Sequence, residues 1–346
     1  MRKLKLAKNE NLASKYRPRD WDSLTEQGVA KTILDRALKT GRVNRALLFT
    51  GSAGTGKTTV ARIFASKLEE FDCNVFEINA ADQTRVEDMR NILESVKTKP
   101  VQGKYKIFIL DECHLLSVSS QNALLKILEE TPEHVFFILC TTDPQKILPT
   151  IMSRVFRYNF QKISTDGIIA RLKYILTKEK ETTGIVNSWE EQALEYIAQV
   201  SGGGMRDAIT TLDRCLCYTD NLTLLSVLEV LGTVDFDSLF SILDGVMMKS
   251  DEIILSEFEK IYRSGVDLKF FVKNLLNFVL DVNKYLTLKS FDYVNIPKIY
   301  ASKLMSYNKT FLRHLASTLL KLNSDLKWET NPKIVIESTL LLETMT

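Results

Sequence analysis

The stretch ALLFTGSAGTGKTTVARIFASKLEEF, residues 46–71, decides how the rest of the chain is read. ALLFT (46–50) is a short apolar run stopped by Gly51, the pattern of a buried parallel strand. After the glycine loop, Val60, Ile63, Phe64 and Leu68 share one face at helical spacing. Between strand and helix, Gly51 to Thr58 fits G-x-x-x-x-G-K-[ST] in the context its mechanism needs. Gly51, Gly54 and Gly56 let the backbone of Ser52, Ala53 and Thr55 curl, so that N–H groups point inward at phosphate. The helix opening at Lys57, Thr58 and Thr59 adds a favourable dipole. Lys57 is expected on the β- and γ-phosphates of ATP, and the Thr58 hydroxyl on Mg²⁺.

Further strands follow at intervals: NVFEIN (74–79), KIFILDE (106–112) and VFFILCTT (135–142). Helical segments lie between them, TRVEDMRNILESV (84–96) and SSQNALLKILEET (119–131). Such alternation indicates a parallel sheet covered on both faces, whose ligands gather at the strand C-terminal ends. Asp111 and Glu112 end the KIFIL strand there. Asp111 is expected to hold Mg²⁺ through water, and Glu112 to deprotonate the attacking water. At the end of the next strand a threonine hydroxyl could position that water. Thr142 is favoured over Thr141, with strand-end capping by Thr and Asp as the alternative. Beyond it lie Ser153 and Arg154, and Arg206 follows the glycine cluster SGGGMRD (201–207). An arginine reaching a γ-phosphate is worth orders of magnitude in rate, whereas a lone arginine is usually a solvated charge. His114 reads as a structural or relay residue beside the acids.

The 346 residues exceed what a single core usually spans. Three parts are expected: residues 1–163 as the α/β nucleotide-binding domain, 164–231 as a small helical domain, and 232–346 as a helical domain. In the last, Phe270, Phe271 and Phe278 read as one buried or interfacial helix face. Charge is nearly balanced, 46 basic against 43 acidic side chains, which neither proposes nor excludes nucleic acid. The basic start with Arg2, Lys3, Lys5 and Lys8 lacks the apolar core of a secretory signal and reads as a solvated tail. No run reaches the ~18–20 apolar residues of a membrane span, so no membrane partner and a cytoplasmic location are expected. Cys73, Cys113, Cys140, Cys215 and Cys217 form no C-x-x-C pair and read as reduced thiols. The middle pair is expected in the core and the last two packed on a helix.

Together these segments resemble AAA+ clamp-loader ATPases of the bacterial DNA polymerase III gamma/tau family. The resemblance is carried by SKYRP, GSAGTGKTTVARIFA, INAADQTRVEDMRNI, DECHLLSVSSQNALLKILEETPEHVFFILCTTDPQKILPTIMSR and GGGMRDAI, over roughly residues 14–210. It implies an AAA+ core, a helical lid and a collar domain. Lys57 and Thr58 match the Walker A pair, Asp111 and Glu112 the Walker B pair, and Thr142 sensor 1. Arg206 matches the sensor 2 arginine acting in cis, and Ser153–Arg154 the motif whose arginine acts in trans on a neighbour's ATP. Tyr16, Arg17 and Pro18 match the segment lining the nucleotide pocket. The implied cofactors are ATP and Mg²⁺. The implied partners are a sliding clamp, primer–template DNA and other loader subunits in a five-subunit ring, which the chain fills alone or mixed with others.

Departures from the family pattern bear on those expectations. The four-cysteine zinc module is replaced by ASKLEEFDCNVFEIN with only Cys73, so no zinc is expected. Val155 stands where the finger motif ends in cysteine. Asp82–Gln83 replaces a Ser-Arg pair in the DNA-facing loop, with Arg85 a nearby substitute, and Thr98–Lys99–Pro100 replaces a Tyr-x-Pro element associated with clamp contact. The chain ends without a tau-like tail, fitting a phage or otherwise minimal version. The competing readings are a non-hydrolysing stator subunit, against which Lys57, Thr58 and Glu112 argue, and another AAA+ machine such as a helicase loader or junction helicase motor. The latter would be expected to end in short strands rather than helices.

Overall fold

A computed structural model describes residues 11–69, 71–81, 92–184 and 186–345. Five strands, β1 (Ala46–Thr50), β2 (Val75–Asn79), β3 (Lys106–Asp111), β4 (Val135–Thr141) and β5 (Phe156–Asn159), form one parallel sheet in the order β2-β3-β4-β1-β5. Four of them fall where apolar runs place them. The fifth, FRYN, escapes sequence reading because its residues, of which only Tyr158 is buried, form no apolar run.

The strand side chains alternate between two cores. On one face Leu47, Phe49, Ile107, Ile109, Ile138 and Cys140 pack against Ala30 and Leu34 of α1 (Gly28–Thr40) and against Val60, Ile63 and Phe64 of α2 (Lys57–Leu68). On the other, Leu48, Phe108, Leu110, Phe137 and Leu139 pack against Leu124 and Leu128 of α3 (Val118–Glu129). The Ser117 hydroxyl caps α3 by accepting the Ser120 N–H. Of the helix expected over 84–96, residues 92–96 are helical and the remainder lies outside the described residues, as do Arg2, Lys3, Lys5 and Lys8.

The chain separates into two compact units, Met1–Ile175 with Ser201–Thr210, and Leu176–Val200 with Thr211–Thr346. Along the second half run α4 (Thr165–Thr183), α5 (Glu191–Val200), α6 (Met205–Tyr218), α7 (Leu224–Leu231), α8 (Phe236–Met247), α9 (Asp251–Arg263), α10 (Leu268–Leu288), α11 (Lys309–Asp325) and α12 (Pro332–Met345). A two-residue pairing of Ser188–Trp189 with Asn221–Leu222 interrupts the helices, too short to leave a sequence pattern. Among the described residues no strand follows Leu222. Phe271 and Phe278 are buried in α10, but Phe270 is 37% exposed: adjacent positions on a helix diverge by about 100°, so the three cannot share one face. Cys113, Cys140 and Cys215 are buried, whereas Cys73 and Cys217 are exposed. No helix of the described residues is long and apolar enough to cross a membrane.

Candidate nucleotide-binding site

The loop from Gly51 to Gly56 joins β1 to α2 at the C-terminal edge of the sheet. A side chain at Gly51 would run into the carbonyl oxygen of Phe160. Gly54 has φ +71, and a Cβ there would sit 3.0 Å from the Cα of Gly204, so the loop passes directly over the glycine cluster. Met205 N–H donates to the Gly54 carbonyl at 3.0 Å and fixes that approach.

Lys57 opens α2 and is only 6% exposed. Its ammonium donates to the carbonyls of Gly51 (2.9 Å) and Ser52 (2.8 Å). Burial pushes its pKa down, opposed by the carboxylates of Glu112 and Asp111. An ammonium has three donors, so two carbonyls leave one for an anion, and an anion would relieve the burial cost. The Thr58 hydroxyl donates to Asp111 Oδ2 at 2.8 Å, joining the loop to the end of β3. A hydroxyl and a carboxylate side by side are hard oxygen donors, which suits Mg²⁺ with retained water.

Glu112 follows with φ +48, a left-handed conformation rare for a residue with a side chain. The turn brings its Oε2 within 3.0 Å of the Thr142 hydroxyl, which donates to it. Thr141, by contrast, is fully buried and accepts the Asp143 N–H at 3.0 Å. Of the two threonines, Thr142 is the one in contact with Glu112.

A cavity of about 290 Å³ opens over this loop. Tyr16, Arg17, Pro18, Ala53, Gly54, Thr55, Gly56, Lys57, Thr58, Thr59, Asp111, Glu112 and Arg206 all line it. Gly51, Ser52, Thr142 and Arg154 do not. The first two turn their carbonyls to Lys57, and Thr142 reaches the cavity's edge through Glu112. The Arg17 guanidinium, partly buried and facing Arg62 and Arg206, is held below its usual range. Such a concentration of cations around a small cavity suits a polyphosphate.

Arg171 is a lining residue that sequence reading missed. On α4 it looks like any helical surface arginine, yet Nη2 donates to the Tyr16 carbonyl at 2.6 Å and the guanidinium lies 5.0 Å from the Tyr174 ring centre. Tyr16 meets Tyr174 edge to face at 6.3 Å. No spacing rule reveals this, because the partner is a backbone carbonyl 155 positions away.

Arg154 lies elsewhere. It sits just before β5, with Nη1 donating to the Thr150 carbonyl (2.9 Å) and Nη2 paired to Glu129 Oε1 (2.7 Å). It lines a separate cavity of about 510 Å³ with Arg45 and Ala46, where β1 begins. Ser153 donates to the Thr150 carbonyl at 2.9 Å. Asp82, Gln83 and Arg85 lie outside the described residues. Thr98 accepts the Lys106 ammonium at 2.7 Å, and Val101 beyond Pro100 is fully exposed. Where a zinc module was expected to be missing, Glu69 accepts the N–H groups of Lys104 and Tyr105, both at 2.7 Å. Among the described residues no group of three or more His, Cys, Asp or Glu is placed to hold a metal.

Loop, buried lysine and paired acids define a P-loop nucleotide-binding protein. Comparison with known proteins narrows the class. The family described as DNA polymerase III, delta subunit, matches residues 69–164, and DNA polymerase III subunits gamma and tau, domain III, matches residues 222–342. The chain is 33% identical over 360 residues to DNA polymerase III subunit gamma of Buchnera aphidicola subsp. Acyrthosiphon pisum, covering 95% of this chain and 97% of that one. It is 33% identical over 287 residues to DNA polymerase III subunit tau of Escherichia coli, covering 77% of this chain but 44% of that one. Among solved structures, a RuvB variant from Thermotoga maritima aligns with TM-score 0.50 at 22% identity, over 82% of this chain and 99% of that one, a likeness of fold alone. The chain belongs to the DNA polymerase III gamma/tau family, and the reading as a clamp-loader ATPase with an AAA+ core stands on that membership.

Proposed function

We propose that the chain is the ATP-hydrolysing motor subunit of a sliding-clamp loader, working with a clamp, primer–template DNA and neighbouring subunits in a five-subunit ring. The observation that carries the proposal is the chain of contacts from Thr58 to Asp111 and from Glu112 to Thr142, which lines up loop, acids and sensor along one edge of the sheet. Lys57 and Arg206 bind the phosphates, and Tyr16, Arg17 and Pro18 bound the cavity in which the nucleoside lies. Thr58 and Asp111 hold Mg²⁺, which supplies neutralisation of charge on the phosphate oxygens. Glu112 takes a proton from the attacking water, and Thr142 keeps its carboxylate turned to that task.

Arg154 acts on the nucleotide of a neighbouring subunit, because it stands at the opposite end of the sheet from its own loop. ATP and DNA both favour the assembled spiral, so each promotes binding of the other, and hydrolysis releases the clamp. No zinc takes part. The three-domain division at 163 and 231 and a cytoplasmic location belong to the same proposal. The likeness to RuvB raises a junction-helicase motor as an alternative, and the helices after Leu222, with no strand among the described residues, speak against it. The intact Lys57, Thr58 and Glu112 speak against a stator.

The test is steady-state ATP hydrolysis by the chain alone and with primed DNA and clamps. Turnover should rise with DNA and clamp, and Glu112→Gln should bind ATP normally while losing about 10²–10⁴-fold in rate. Unchanged turnover in that variant removes Glu112 as the base.

A further inference from the structure

His114 is a half-buried titratable side chain that the proposal above does not use. It lies two positions past Glu112 in the turn Cys113–Leu115. Its side chain is 10% exposed. Nδ1 lies 3.0 Å from Thr141 Oγ1 and 3.4 Å from Glu112 Oε2. We infer that His114 is a positioning residue for Glu112, an inference that rests on the reading of Glu112 as the base.

Glutamate has three rotatable side-chain bonds, and a base displaced by about 1 Å loses about 10²-fold in rate. Thr142 supplies one donor to Oε2 and leaves the carboxylate free to swing about that contact. His114 Nδ1 approaches the same oxygen to 3.4 Å, from the turn that follows Glu112 in its left-handed conformation. Among the described residues no protein donor reaches Oε1, so the two contacts fix one oxygen and leave the other for a water.

The proton on the ring follows from its neighbours. Thr141 Oγ1 accepts the Asp143 N–H with one lone pair and has a second for a ring N–H. Glu112 offers only lone pairs when ionised. A bare Nδ1 would place its own lone pair against a carboxylate oxygen, whereas Nδ1–H is attracted to both neighbours. The geometry therefore selects a proton on Nδ1. Thr141, the threonine not in contact with Glu112, acquires a purpose: it orients the ring that orients the base.

Two measurements test this, and the first needs no turnover. The chain has three histidines, so nitrogen NMR of histidine-labelled protein resolves His114 once His114→Phe removes its signal. The Nδ1–H tautomer is expected in the parent and its loss in Glu112→Ala. An Nε2–H tautomer in the parent overturns the inference. The second is ATP hydrolysis by the full chain with primed DNA and clamp. His114→Phe keeps the ring volume and should lower kcat about 10- to 100-fold with KM and nucleotide Kd unchanged. His114→Asn can place an amide donor near the Nδ1 position and should recover most of the rate. In the Glu112→Gln background His114→Phe should cost nothing further. A His114→Asn variant as slow as His114→Phe, or an effect on KM alone, overturns the positioning role. If the parent hydrolyses no ATP, the motor proposal fails while the tautomer still decides the contact.

Discussion

At the C-terminal ends of β1, β3 and β4, Lys57, Thr58, Asp111, Glu112 and Thr142 are tied to one another or to the loop by contacts of 2.8–3.0 Å. At the N-terminal end of β1, Arg154 is 36% exposed and its guanidinium pairs with Glu129, itself 45% exposed. Between the two lie the five residues of β1, about 16 Å of strand. One end is preorganised by contacts within the chain. The other offers a cation whose carboxylate partner is held by a surface pair worth about 0–1 kcal/mol, easily exchanged for a better anion. On the proposed function, a lysine confined to its loop serves its own chain, and an arginine parked at the far edge serves a surface that docks there.

The largest effect expected from this difference concerns Arg154 itself. Arg154→Ala should lower turnover about 10³-fold and leave nucleotide affinity at its own loop unchanged. Lys57→Ala should lose nucleotide binding outright. Mixing the two inactive variants should restore part of the activity, since an intact loop then meets an intact arginine. Absence of recovery on mixing, with both variants still assembling, would place the arginine's role within its own chain. An Arg154→Ala variant with full turnover would remove it from the mechanism.

At the C-terminal end the backbone is as constrained as the side chains. Gly54→Ala places a Cβ 3.0 Å from Gly204 in a left-handed loop residue. It should cost about 1–3 kcal/mol of stability in urea denaturation. The lost register between loop and glycine cluster should also weaken nucleotide binding, read by titration calorimetry. A neutral result in both would mean that the loop relaxes away from Gly204 without consequence.

How much of this was legible follows from what each element depends on. The strands β1, β3 and β4 are buried on both faces, so they read as unbroken apolar runs and announce the sheet. The loop announces itself because phosphate chemistry fixes its spacing. The edge strand FRYN did not, since its fold is dictated by pairing with β1 rather than by its own side chains. Thr142 is favoured over Thr141 and matches sensor 1 through the resemblance, but its contact with Glu112 depends on the left-handed turn at Glu112, which sequence does not disclose. Arg171 and the inward-facing ring of His114 were hidden for the same reason: their partners are a distant carbonyl and a neighbouring strand.

The smallest expected effect is the most informative about the far end of the sheet. Glu129→Gln removes the charge that pairs with Arg154 and leaves the rest of α3 in place. An exposed pair of this kind contributes less than about 1 kcal/mol, so the melting temperature should move by no more than a few degrees. Freed of a competing carboxylate, Arg154 should meet a neighbour's phosphate more readily. Turnover of the assembled protein should therefore rise, by up to about twofold at low salt. The difference should vanish near 0.5 M salt, where screening weakens the pair in the parent as well. If turnover instead falls toward that of Arg154→Ala, the carboxylate aims the guanidinium rather than parking it. The edge around Arg154 would then be as preorganised as the loop it serves.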